Sequence, residues 1–298
     1  MKKKAVSMIC TAMAAVSMLA VTACGSGTAD SGAGTANVVD TKESKQEDSA
    51  GEDQEGSGDL LEAIQQRGEL IVAMEGTWAP WTYHDEEDNL VGYDVEVAKA
   101  IARELGVEAT FVEGEWDGLF AGMDSGRYDL VINGVEPTEE RREKYDFSEP
   151  YGYIRTALVV RSDNEEIKGF EDLEGKSTAN SIASTYMILA EEYGATATGV
   201  DTLDQTLDMV LSGRADATLN AEVSFYDYFK IHPEAELKVA ALTDEASPVL
   251  IPMRKGPQTE RLRSAVNEAI AAIRESGELS AISEKYFGSD ISGAETGN

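Results

Sequence analysis

The nine-residue pattern S-G-R-x-D-x-x-x-N occurs twice, as SGRYDLVIN at 125–133 and SGRADATLN at 212–220, each time after a stretch with helical spacing. A helix stopped at Gly and followed by a short apolar run is one α/β unit, and its recurrence asks for two lobes built on one plan. The rest of the chain keeps the same rhythm. Asp94 stands where it can cap a helix in which Val97, Ile101 and Leu105 fall at four-residue spacing before Gly106, and VEATFV follows as a strand. Ser184 can cap STYMILAEEYG, ATATGV reads as a strand, and TLDQTLDMVLSG reads as a helix. Near the C-terminus Leu262, Val266, Ile270 and Ile273 line one face of a helix ending at Gly277. Alternation of this kind predicts helix-covered sheets of the α/β class. Open α/β sheets bind ligands beyond the carboxyl ends of their strands, so Asn133 and Asn220 are expected to face each other across a cleft.

The segment EGTWAPW at 75–81 holds two of the three tryptophans of the chain. Proline lacks the N–H that a central strand needs and interrupts a helix, so this is a loop. Trp78 and Trp81 then have two readings: a satellite of the core, where tryptophan usually resides, or an aromatic surface for a ligand.

The N-terminus speaks to location. MKKK precedes an apolar run that reads as a signal peptide over 1–23, and a retained membrane anchor is the alternative. Residues 24–59 lack aromatic residues and proline and are rich in Gly, Ser, Thr and acidic side chains, so they read as a tether rather than a folded unit. The formal net charge of −31 becomes −34 once Lys2, Lys3 and Lys4 are removed, which argues against nucleic acid and against electrostatic docking on anionic lipid. With Cys10 lost alongside the signal peptide, only Cys24 of the two cysteines remains, so no internal disulfide or cysteine metal site is expected. No G-x-S-x-G, P-loop or H-E-x-x-H motif is present, and His84 and His232 read as loop or surface residues. Turnover is not expected, and no cofactor is called for.

VTAC followed by Gly25 resembles the lipobox of bacterial lipoproteins, which implies diacylation at Cys24. EGTWAPW, GYDVEVAKAIARELGV, WDGLFAGMDSGRYDLVING, TEERREKYDFSEPY and SEKYFG, in that order from about Gly68 to Ser289, resemble the polar amino-acid solute-binding proteins of ABC importers. That resemblance implies the type II periplasmic-binding-protein-like fold, two lobes joined by two crossover strands with an amino acid between them. The crossovers are expected near Arg155–Leu158 and Ser247–Leu250, giving lobe 1 as 60–155 plus 250–298 and lobe 2 as 156–249. It further implies a ligand-binding set of Glu75, Trp78, Trp81, Trp116, Asn133, Gly134, Glu136, Arg141, Asn180, Ser184, Thr185 and Asn220. Within it Arg141 clamps the ligand α-carboxylate, the three tryptophans converge on the cleft, and Ser184 and Thr185 complete the carboxylate site at a helix N-terminus, where they equally serve as caps. The implied protein is an extracytoplasmic monomer, anchored through Cys24, that delivers its amino acid to an ABC permease.

Two positions depart from the family pattern. Glu136 stands where Ser or Thr is common, and Ala221 stands where an Asp usually meets the ligand ammonium. Glu136 is the first candidate for that ammonium and Glu222 the second, since Glu222 heads a helix where acidic residues are common for dipole reasons alone. Glu75 and Glu136 against Arg141 disfavour acidic amino acids. A neutral polar amino acid, cystine included, is preferred and a cationic one remains open. An enzyme on the same scaffold, such as a dehydratase, and a sensor feeding a signalling partner are the rival readings.

Overall fold

The computed structural model describes residues 58–293, so the signal peptide, Cys24 and nearly all of the tether lie outside the described residues. The first lobe opens with α1 (Leu60–Arg67), capped by the Asp59 carboxylate on the Glu62 N–H at 3.1 Å and stopped at Gly68 in the left-handed region. It continues through β1 (Glu69–Met74), the small antiparallel strands β2 (Thr77–Trp78), β3 (Thr82–His84) and β4 (Leu90–Val91), α2 (Tyr93–Glu104), β5 (Glu108–Glu113), α3 (Trp116–Asp124), β6 (Leu130–Val131), α4 (Glu139–Lys144) and β7 (Tyr145–Phe147). Strand β1, apolar along most of its length, lies between β5 and β6 in a parallel sheet. Asp94 does not cap α2: Gly92 precedes the helix, and the Asp94 carboxylate turns inward to accept from the Tyr151 hydroxyl at 2.9 Å.

Strand β8 (Gly152–Ile154) leads to β9 (Thr156–Arg161) and the second lobe: β10 (Ser177–Ser181), α5 (Thr185–Glu192), β11 (Thr196–Val200), α6 (Leu203–Leu211), β12 (Ala217–Ala221), α7 (Glu222–Ile231) and β13 (Leu237–Leu242). Its sheet runs β11-β10-β12-β9-β13, parallel over the first three strands and antiparallel beyond. The chain returns through β14 (Ser247–Val249), which pairs with β8, and β15 (Pro252–Arg254), which pairs with β7. The paired connecting strands are thus Gly152–Ile154 and Ser247–Val249, and Arg155–Leu158 falls largely at the start of β9. Helices α8 (Glu260–Glu275) and α9 (Glu278–Phe287) finish the chain, with Leu262, Val266, Ile270 and Ile273 all buried.

The sequence repeat has a structural cause. In the first lobe Asp129 N–H donates to the Ile71 carbonyl at 2.9 Å, and the Asp129 carboxylate accepts from the Ile71 N–H at 2.8 Å. In the second lobe Asp216 makes the same pair of bonds with Ser177, at 2.9 and 2.8 Å. Each aspartate therefore fastens the repeat unit to its lobe's central parallel strand. The preceding glycines, Gly126 at φ +71° and Gly213 at φ +70°, make the turn into that unit in a conformation costly for other residues. Both units end at the asparagine that faces the cleft.

Candidate functional site

The carboxyl ends of β1 and β6 and the starts of α3 and α4 supply one wall of a cavity; the ends of β10 and β12 and the starts of α5 and α6 supply the other. The empty space between the walls amounts to about 440 Å³, open solvent at its mouth included. Glu75, Trp78, Trp116, Asn133, Gly134, Glu136, Arg141, Ser184, Thr185 and Asn220 line it. Ten of the twelve sequence-derived positions therefore meet in one place.

Trp81 and Asn180 do not line it. Trp81 is completely buried behind Trp78, with ring centroids 5.1 Å apart and planes within 15°, so two tryptophans rather than three reach the cavity. Asn180 is spent inside the second sheet, where its amide donates to the Leu219 carbonyl at 3.1 Å. Ser181, Tyr186 and Leu203 line the cavity instead, although no sequence signal singled them out.

Arg141 owes its position to Thr138, whose hydroxyl accepts from the Arg141 N–H at 3.1 Å and starts α4. Its guanidinium lies over the rings of Trp116 and Phe120, 5.1 and 5.4 Å from their centroids, and donates to the Glu136 carbonyl at 2.9 Å. A second nitrogen reaches the Ala183 carbonyl of the other lobe at 3.4 Å. Stacking and one short bond fix the fork, leaving donors for an anion in the cavity. Ala183 holds a left-handed φ of +56°, unusual for a residue with a Cβ, at the turn between Ser181 and Ser184. Ser184 caps α5, accepting from the Met187 N–H at 3.1 Å.

Two carboxylates, Glu75 and Glu136, share the cavity with Arg141. Glu75 is clasped by Asn133, which accepts from the Glu75 N–H at 2.8 Å and donates to its carboxylate at 2.7 Å. Burial pushes the Glu75 carboxyl up to about 7, against the opposing pull of the Asn133 bond. Glu136 is only 8 % exposed and accepts from the Thr185 hydroxyl at 2.7 Å; burial raises its pKa too, opposed by Thr185, Ser247 and Arg141. The Thr185–Glu136 bond spans the two lobes. Glu222 lies elsewhere, paired with Arg155. Gly134, at φ +55°, lets Trp78 approach: a Cβ there would stand 2.7 Å from Trp78 Cζ3. The Trp78 indole N–H is buried and has no hydrogen-bond partner among the described residues.

A clamp of two α/β lobes around a cavity carrying an arginine fork, two carboxylates and aromatic walls defines a class: two-lobe binding proteins for small zwitterions. The chain belongs to the bacterial extracellular solute-binding proteins, family 3, whose model matches residues 70–289. It is 40% identical over 246 residues to the L-cystine-binding protein TcyA of Bacillus subtilis (strain 168), covering 82% of this chain and 91% of that one. The L-cystine solute receptor of Neisseria gonorrhoeae, in its unliganded open conformation, is 40% identical over 79% of this chain and all of its own, with a TM-score of 0.56. The amino-acid transporter substrate-binding protein AbpA of Streptococcus pneumoniae, bound to L-arginine, is 31% identical over 77% of this chain and 99% of its own, yet its TM-score is 0.68. The less similar sequence fits better in shape, in keeping with lobes that here already touch across the cavity.

Proposed function

We propose that this chain captures a free amino acid outside the cytoplasm and hands it to an ABC permease, acting as a monomer held to the membrane by lipidated Cys24. The observation that carries the reading is Arg141, the one cation among the described residues lining a cavity shared by two lobes, stacked on Trp116 and Phe120 with donors to spare. It takes the α-carboxylate, Glu136 takes the ammonium, and Trp78 and Trp116 cover the stem. A second ligand carboxylate would meet Glu75 rather than a cation, so acidic amino acids are disfavoured. A neutral polar or cystine-like ligand fits better, because Glu75 offers an acceptor to a polar far end. The names of the TcyA and Neisseria relatives support the cystine-like choice.

A thermal-shift screen of the common L-amino acids and L-cystine tests this. Stabilisation by neutral polar amino acids or L-cystine, with the ligand recovered chemically unchanged, is expected. Stabilisation by aspartate or glutamate alone would contradict the charge assignment. For the anchor, Cys24→Ala is expected to abolish labelling by a fatty-acid probe and release the protein from the membrane fraction.

A further inference from the structure

Trp81 sits behind the cavity and makes a contact that ligand binding does not account for. Its indole N–H donates to the hydroxyl of Ser224 at 3.2 Å, from the first lobe to α7 of the second, and both residues are almost wholly buried. The ring itself is boxed in by its own lobe: Tyr93 meets it edge-on with centroids 5.6 Å apart, and Phe287 packs at 4.9 Å. Backbone bonds hold it as well, since Trp81 N–H donates to the Trp78 carbonyl and Asp94 N–H donates to the Trp81 carbonyl, both at 3.0 Å. A donor fixed this firmly can lose its acceptor only if the second lobe moves. Its stacking partner Trp78 lines the cavity, which puts one stacked pair between ligand and lobe contact.

We infer that Trp81 and Ser224 form a closure latch, a positioning contact that biases the two lobes toward the closed state and is coupled to cavity occupancy through the Trp78–Trp81 stack. The inference rests on the clamp reading above. The chemistry suits a reversible latch. A neutral N–H to hydroxyl bond exchanged for water on opening biases the equilibrium by a single factor of about three to ten, enough to favour closure without trapping it. Ser224 sits in the first turn of α7 and is not its cap, since the residue before the helix is Ala221, so its hydroxyl is free for this role. At the cavity wall the Thr185–Glu136 bond also joins the lobes.

The test is the distribution of distances between spin labels at Glu104 and Glu191, exposed positions on helices of opposite lobes. It is recorded on the chain from residue 24 onward with Cys24→Ser, with and without L-cystine, for the parent and for Ser224→Ala, Ser224→Thr and Trp81→Phe. Ser224→Ala and Trp81→Phe are expected to lower the closed-to-open ratio roughly three- to tenfold, and Ser224→Thr, which keeps the hydroxyl, to restore it. A closed-to-open ratio in Ser224→Ala equal to the parent's, or one lowered as far in Ser224→Thr as in Ser224→Ala, overturns the latch. So does a parent with no closed population in either condition. If L-cystine neither shifts the parent's distribution nor stabilises the parent in the thermal-shift screen, the cystine-like choice fails, and the latch is decided on the ligand-free ratio.

Discussion

Arg155 grips Glu222 with two nitrogens, Nε to Oε1 at 3.1 Å and Nη2 to Oε2 at 2.7 Å, and the Glu222 N–H donates back to the Arg155 carbonyl at 3.0 Å. Neither side chain lines the cavity. The pair lies where β8 gives way to β9 and β12 to α7, so it ties the entry of the second lobe to the start of α7. Glu222 therefore has a partner of its own. Glu136 is left as the carboxylate beside Arg141.

The first prediction follows from that contrast. Glu136→Thr is expected to weaken amino-acid binding by roughly 30-fold or more, the cost of leaving a buried ammonium without its counter-charge. Glu222→Gln is expected to change affinity by less than about threefold, because the pair it breaks is partly exposed and outside the cavity. Adding Ala221→Asp to Glu136→Thr is expected to recover part of the loss. Calorimetric titration of the three variants checks this, and tight binding by Glu136→Thr with loss in Glu222→Gln would reverse the assignment.

Glu75 makes a prediction about pH. Its carboxyl is raised by burial from an ordinary value near 4.5 to about 7 in the fold, so the folded state binds the proton more tightly than the unfolded chain. Ionised Glu75 then costs stability above pH 7, and that cost fades as the pH falls toward 4.5. Asp94, raised to about 8 by burial, acts in the same direction, which is why a difference measurement is needed. Glu75→Gln is expected to be more stable than the parent at pH 8, with the gap closing near pH 4.5 in urea titrations. A gap that stays constant with pH would mean that Glu75 is not desolvated.

Gly134→Ala tests the close approach of the aromatic wall. The new Cβ meets Trp78 carbon atoms at 2.7 and 2.8 Å and must adopt a left-handed backbone. Displacement of Trp78 is expected to lower affinity at least tenfold and to change tryptophan emission, while the strain removes about 1–3 kcal/mol of stability. Unaltered emission and affinity would place Trp78 off the ligand path.

The repeat predicts equal consequences in the two lobes. Asp216→Ala removes the acceptor of the Ser177 N–H and hydroxyl, at 2.8 and 2.7 Å, and Asp129→Ala removes the acceptor of the Ile71 N–H, at 2.8 Å, and of the Arg67 guanidinium. Each is expected to cost about 1–3 kcal/mol in chemical denaturation, with ligand affinity changed little. A loss confined to one lobe would break the equivalence.

The repeat was legible because it depends on local patterning, and with it the cleft positions of Asn133 and Asn220; most of the other cavity residues came from the resemblance to the solute-binding family. S-G-R-x-D-x-x-x-N encodes a turn, a fastening aspartate and a strand-end asparagine, all read within nine residues, and Ser184 declares its helix cap. What was not legible depends on depth and distance. EGTWAPW says that two aromatic rings occur together but not that Trp81 stands behind Trp78, since its neighbours Tyr93 and Phe287 come from helices elsewhere in the chain. Asp94 looks like a cap from spacing alone; its burial under Tyr151 reflects tertiary packing. Ser181, Tyr186 and Leu203 become cavity residues only when the second lobe is laid against the first. The Arg155 partner of Glu222 likewise comes from a distant strand.

The central claim is that the cavity holds an amino acid by its α-carboxylate on Arg141. Isothermal titration of the purified protein with L-cystine, the neutral polar L-amino acids and their decarboxylated amines tests it directly, in the parent and in Arg141→Ala. The account predicts saturable one-to-one binding of at least one of these amino acids at micromolar or tighter affinity, about −8 kcal/mol or better. It predicts loss of at least about 30-fold on removing either the carboxylate or the guanidinium. An amine that binds as tightly as its parent amino acid, or an Arg141→Ala variant that binds as tightly as the parent protein, would contradict it.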